Sequence, residues 1–212
     1  LVLLPLAAGA WPYATVLAAD VLMAALFAAS LHFLMGPAGL HSFGHAAYFG
    51  LGAYAAALLV RAAGLPMEAA LVLAPLVAAL GALVYGWFCV RLSGVSLTML
   101  TLAFAQITWA VCYQWDSLTG GSNGITGVWP SDWWAQGARF YWLTLTLVAL
   151  GVLLLRRVLL APLGYALRAG RDAPLRAEAI GIDVRRVQWI GFVLAGALAG
   201  LAGALFLLAK GS

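Results

Sequence analysis

Residues 156–186 read RRVLLAPLGYALRAGRDAPLRAEAIGIDVRR and hold seven of the eleven basic residues in the chain. An arginine at the centre of a membrane helix costs roughly 2.5–3.5 kcal/mol, so burying all seven in lipid would cost on the order of 20 kcal/mol. The stretch therefore belongs outside the bilayer. Against Asp172, Glu178 and Asp183 its arginines leave a formal charge of +4, equal to that of the whole chain. The positive-inside rule then predicts that this stretch faces the cytoplasm.

The surrounding chain dictates the bilayer in the first place. Of 212 residues, 65% are hydrophobic and 8% charged, with a mean hydropathy of +1.02. A soluble domain carries about 25% charged residues. The length leaves room for roughly seven helices of about 20 residues, so we expect one all-α, polytopic transmembrane bundle covering residues 1–212. The basic pI of 9.4 does not indicate nucleic acid, because the arginines cluster beside apolar spans and are not interleaved with aromatics on a polar surface. Cys89 and Cys112 fall within apolar runs, where free cysteine behaves as a small hydrophobe. The chain opens at Leu1 in an apolar run, without the pattern of a cleavable signal, and reads as a piece of a longer membrane protein.

Six full spans are expected, at about residues 14–35, 67–90, 95–113, 141–155 and 187–208, with one more that the run 41–54 leads into and that ends near residues 60–61, after a truncated helix over 1–9 that ends at the interfacial Trp11-Pro-Tyr13. The first span carries Asp20 and His32. An intramembrane carboxylate is a functional-site hypothesis by default, although Asp20 lies within about two turns of the outer interface. His41 and His45, spaced i and i+4, have no nearby carboxylate or cysteine to complete a metal shell, so no metal site is expected. Ala46 and Gly50, then Ala53 and Ala57, recur every four residues and permit close helix approach. Glu68 opens the third span, Arg91 closes it, and Pro75 lies inside it. In the fourth, Ser96, Thr98, Thr101 and Thr108 have the option of bonding to their own helix, whereas Gln106 requires a partner or a wet cavity.

The longest interruption between apolar runs other than the arginine-rich stretch, residues 114–139, centres on Thr119-Gly-Gly-Ser-Asn-Gly-Ile-Thr-Gly127 and carries Trp129, Trp133 and Trp134. A phosphate-binding P-loop would need GxxxxGK[ST], and the only lysine in the chain is Lys210. The tryptophans instead suit an interfacial belt, so an external loop folded onto the outer mouth is expected. Asp20, Gln106 and Asn123 are the candidate pathway residues. The last span contains Gly196-Ala-Leu-Ala-Gly200, with Gly203 on an overlapping series, and these glycines are the expected helix-packing positions. Alternation of the spans puts eight basic residues inside and Arg61, Arg139 and Lys210 outside.

Within residues 156–186, Asp172 is placed to cap a helix beginning near Pro174, Gly181 to stop it in a left-handed turn, and Asp183 to cap the next helix. Leu175, Ala179 and Ile180 give the short helix an apolar side. The run Arg176-Ala-Glu-Ala-Ile-Gly-Ile-Asp183 resembles the Glu-Ala-Ala…Gly loop by which permeases of ATP-binding-cassette importers dock their ATPases. Together with Gly36-Pro-Ala-Gly-Leu-His-Ser-Phe-Gly-His-Ala-Ala-Tyr-Phe-Gly-Leu-Gly-Ala-Tyr54, Thr101-Leu-Ala-Phe-Ala and Thr119-Gly-Gly-Ser-Asn-Gly-Ile, it makes the chain resemble branched-chain amino acid ABC transporter permeases of the LivM type. His32 and His41 depart from that pattern, and the family continues through further helices beyond the docking loop and the one span that follows it here.

The resemblance implies import of leucine, isoleucine and valine through the bacterial or archaeal inner membrane. It also implies two cytoplasmic ATP-binding subunits, a second permease subunit of related fold, and a periplasmic or extracellular binding protein. Docking would fall to Arg176, Glu178, Ala179 and Gly181, with no cofactor and no catalysis in this chain. Closely similar permeases handle urea and short amides, which is the alternative substrate class. An ion-coupled carrier or channel would need more polar groups deep in the bundle than Asp20, His32 and Gln106. A membrane enzyme would need a nucleophile with its base or a metal site, and the sequence has no HExxH.

Overall fold

The computed structural model describes residues 12–121, 124, 125, 127–129, 134 and 137–211. Among these residues there are helices and turns and no strands. Five helices are long and apolar enough to cross a membrane: α1 (Pro12–Met35), α3 (Met67–Cys89), α4 (Gly94–Gln114), α6 (Gly137–Leu159) and α9 (Val184–Lys210). The sixth expected span is α2 (His45–Arg61), whose 17 residues extend about 26 Å at 1.5 Å per residue, short of a ~30 Å hydrocarbon core. In the irregular segment before α2, Ala38, Leu40 and Ser42 are buried against the bundle.

Three short helices complete the chain: α5 (Asp116–Thr119), α7 (Pro162–Asp172) and α8 (Pro174–Ala179). Alternation of the long helices gathers α7, α8, the α1–α2 segment and the α3–α4 turn at one end, and the α2–α3 and α4–α6 connections at the other. Eight of the eleven basic residues lie at the α7–α8 end.

The bundle is built around α9, and small residues are the reason. A Cβ added at Gly196 or Gly200 would run into Ala82 or Ala78 of α3, and one at Gly203 into the backbone of Phe49 in α2. On the opposing side, a Cβ at Gly52 would strike the backbone of Gly200 itself. Lipid tails are as apolar as leucine, so helices associate in a membrane through close packing of this kind, and a flat seam maximises it. The small series read from α2 divides between two faces. Ala57 is buried in the core, whereas nothing lies within 4 Å of a Cβ built at Gly50.

Candidate functional site

At the arginine-rich end, α6 carries Arg156 and Arg157 in its last turn, where their charge complements the helix dipole. Arg168 of α7 donates to the carbonyl of Leu159 at 3.0 Å and so caps α6. The separate helix α7 is not apparent from the charge pattern, which places these residues outside the bilayer but does not set their local conformation. Its available signal is Pro162 at the first helical position. Leu167 is fully buried, Gly170 lies against Val184, and Gly191 lies against Leu167, so α7 is wedged onto the start of α9.

Asp172 does not cap α8. It is the last residue of α7 and accepts from Arg171 Nε at 2.7 Å, while Ala173 takes the cap position without a side-chain bond. The bond from Arg171 holds the Asp172 carboxyl below the usual carboxylate range and raises the Arg171 guanidinium. Arg171 Nη1 also donates to the carbonyl of Gly36 at 2.8 Å, and its aliphatic stem fills the space beside Gly39. One arginine thus ties α7 to the turn that leads into α2.

Helix α8 ends in a Schellman turn. Gly181 N donates to the carbonyl of Glu178 at 2.9 Å, Ile182 N to that of Ala177 at 3.0 Å, and Gly181 has φ of 90°. Asp183 then caps α9, its Oδ1 accepting from the backbone of Arg186 at 3.1 Å. Ala177 is the buried residue of α8, while Arg176, Glu178 and Ala179 face outward. Leu175 is 81% exposed and Ile180 76% exposed. Two large apolar side chains stand clear of the protein on a charged turn beyond the ends of the spans.

The second region is a groove of about 500 Å3 between α2 and α4, lined by Ala46, Gly50, Tyr54, Gln106, Trp109 and Cys112 among others. Its volume falls in the range of small-molecule sites. Close contact at one end sets its shape: Phe43 N donates to Thr101 Oγ1 at 3.2 Å, and Gly44 abuts the Thr101 carbonyl. Thr98, Thr101 and Thr108 bond to their own helix, and Thr108 also meets the Tyr85 hydroxyl at 2.9 Å. Gln106 is different, being exposed and making no side-chain hydrogen bond among the described residues. At the other end, Thr119 bonds to the carbonyls of Cys112 and Trp115, and Gly121 closes the groove. Gly127 donates to Gly211 at 2.9 Å, which fastens the loop between α5 and α6 to the end of α9. Asn123 and Trp133 lie outside the described residues, as do residues 1–11.

The remaining sequence candidates are dispersed. Asp20 accepts from Lys210 at 2.7 Å, joining α1 to the end of α9. It borders a separate apolar pocket with Phe27, Phe49 and Phe206. His41 is exposed ahead of α2, while His45 is buried with Nε2 2.9 Å from Ser30 Oγ, so the two histidines do not share a helix face. No group of three metal-ligating side chains occurs among the described residues.

Residues 13–212 match the family model described as branched-chain amino acid transport system / permease component. The chain belongs to this family. It is therefore a multi-pass membrane protein of a transport-permease family. It is 30% identical over 246 aligned positions to the high-affinity branched-chain amino acid transport system permease protein LivM of Escherichia coli (strain K12), an alignment that covers all of this chain and 57% of that protein. It is 28% identical to the LivM protein of Salmonella typhimurium, covering 95% of this chain and 55% of that one. The chain thus spans just over half the length of the curated relatives it matches. No solved structure matches it.

Proposed function

We propose that this permease-family chain forms part of a membrane subunit of an ATP-driven importer that carries leucine, isoleucine and valine to the cytoplasm. The α7–α8 end faces the cytoplasm in this reading, as the surplus of arginine there favours. Its partners are two cytoplasmic ATP-binding subunits, a second permease subunit, and an external binding protein that delivers substrate. The substrate class rests on the two LivM relatives, and the urea or short-amide alternative stays a matter for the test below.

The exposure of Leu175 and Ile180 on a six-residue helix is the observation that carries the docking reading. A soluble face has no reason to leave two such side chains in water, whereas a knob entering a cleft on an ATP-binding subunit buries both. Arg176 and Glu178 flank the knob and set its register by charge, with Ala179 leaving room between them. The Gly181 turn and the Asp183 cap join α8 to a continuous 27-residue helix, so motion at the knob passes into α9. Arg171 supplies a second route, through the Gly36 turn to α2 and the groove wall.

The α2–α4 groove forms one wall of the pathway, with Gln106 facing water, substrate or the second permease subunit. An amide at this depth has no stable place against lipid. The test is ATPase activity of the reconstituted full-length complex with its binding protein loaded with leucine or with urea. Stimulation by the leucine form supports the reading. Stimulation by the urea form alone replaces the substrate, and failure to associate with any ATP-binding subunit removes the importer.

A further inference from the structure

At the same end of the bundle, on the flank between α3 and α9, a cavity of about 290 Å3 is lined by Trp87, Val90, Arg91, Asp183, Arg185, Arg186 and Trp189. We propose that it binds the phosphate-bearing headgroup of an anionic phospholipid. Three guanidiniums meet one carboxylate here. Asp183 takes up Arg186, accepting from its Nε at 2.9 Å, and Arg91 and Arg185 have no carboxylate partner among the described residues. The Arg91 guanidinium lies 4.5 Å over the Trp87 ring, which fixes its position without neutralising it.

The walls are held in place by the fold. Trp189 donates its indole N–H to the carbonyl of Leu83 at 2.9 Å and packs edge-on to Trp87 at 5.4 Å. Two tryptophans at the end of a membrane span define the level of the headgroups. The pocket therefore sits where lipid phosphates lie, with its arginines aimed at a layer of negative charge.

The apolar surface next to the pocket favours a lipid over a free anion. Leu80, Leu83, Val84 and Trp87 are exposed along one face of α3 and lead away from the arginines toward the middle of the span. Their spacing of three, four and seven residues makes a continuous stripe on which an acyl chain lies while its phosphate occupies the pocket. Inorganic phosphate would gain the arginines and none of this stripe. Because Asp183 and Arg185 begin α9, a bound headgroup also braces the junction between α8 and the central helix. The proposal does not depend on the importer reading.

Native mass spectrometry of the full-length protein released from nanodiscs of mixed phosphatidylglycerol and phosphatidylcholine tests it. Each basic residue near an anionic surface contributes enough that removing two lowers lipid occupancy by on the order of tenfold or more. We expect retained phosphatidylglycerol, a loss of that size in R91Q/R185Q, recovery in R91K/R185K, and no competition from millimolar inorganic phosphate. The control R156Q/R157Q removes the same charge from the same end of the bundle and should leave retention unchanged. Equal retention by wild type and R91Q/R185Q overturns the proposal, as does equal loss in the control, which would reduce the effect to net charge. Displacement by inorganic phosphate as effective as by lipid would make the pocket a free-anion site and overturn the lipid assignment.

Discussion

Helices α9 and α4 are both apolar enough to cross a membrane, yet 67% of the spanning window of α9 is buried and only 17% of that of α4. Hydropathy does not explain the difference, since α3 is nearly as apolar as α9 and is buried only to 33%. Side-chain size and isolated polarity do. Helix α9 presents Gly196, Gly200 and Gly203 to α2 and α3 and becomes the pillar of the bundle. Helix α4 presents Gln106 and Trp109 to an open groove and is left as a wall awaiting another surface. Bulk is therefore fatal on the first helix and tolerable on the second, whereas loss of polarity matters only on the second.

The largest effect should come from Gly200→Leu. The site faces Ala78 and the backbone of Gly52, and overpacking a filled junction costs ~3 kcal/mol. Detergent-extracted protein should fall sharply in yield and in melting temperature. Normal stability in that variant would break the comparison at its strongest point.

Next in size is Gly181→Val. The left-handed φ of 90° disfavours any Cβ by roughly 1–2 kcal/mol, while the space around the site is open. Assembly should survive, and substrate-stimulated ATPase activity should drop about tenfold. Gly181→Ala should show a smaller loss in the same assay.

Gln106→Leu sharpens the contrast from the other side. Since the Gln106 side chain makes no hydrogen bond among the described residues, leucine there should leave thermal stability unchanged or raised. Uptake should fall several-fold if α4 lines the pathway. Unchanged uptake would return α4 to a lipid-facing role.

The smallest effect belongs to Asp172→Asn. The carboxyl of Asp172 is depressed by the bond from Arg171, so its contribution is present above the unfolded carboxylate pKa and is lost only as pH falls through the lower folded value. Melting temperature should not respond to this substitution differently at pH 5 and pH 8. Any difference between wild type and variant should shrink only in more acidic solution.

Much of this architecture was legible in the sequence because a bilayer imposes length and charge rules on every span. The expected segments 67–90, 95–113 and 187–208 differ from α3, α4 and α9 by a few residues at each end. The Gly181 turn and the Asp183 cap were equally readable, since each depends on residues within a few positions of one another. Distant partners were not. The spacing of Asp172 to Pro174 suits a cap on the following helix, but the neighbouring Arg171 takes the carboxylate instead. The partner of Gly200 is Gly52, which falls between the two small-residue series read from α2. A helix apolar on all sides gives no periodic signal to show which face meets which neighbour. The groove was foreshadowed only by Gln106, because the other lining residues named above do not separate a wet wall from a lipid one.

The claim on which the account turns is that α8 enters an ATP-binding subunit. Its most direct test is disulfide cross-linking of Glu178→Cys, in full-length protein with Cys89 and Cys112 replaced by Ala, to single cysteines around the cleft of that subunit. The account predicts a cross-link whose yield changes between the nucleotide-free and ATP-trapped complexes. It also predicts none from Gln106→Cys in the groove. Absence of any Glu178→Cys cross-link in an assembled, ATP-hydrolysing complex would contradict it.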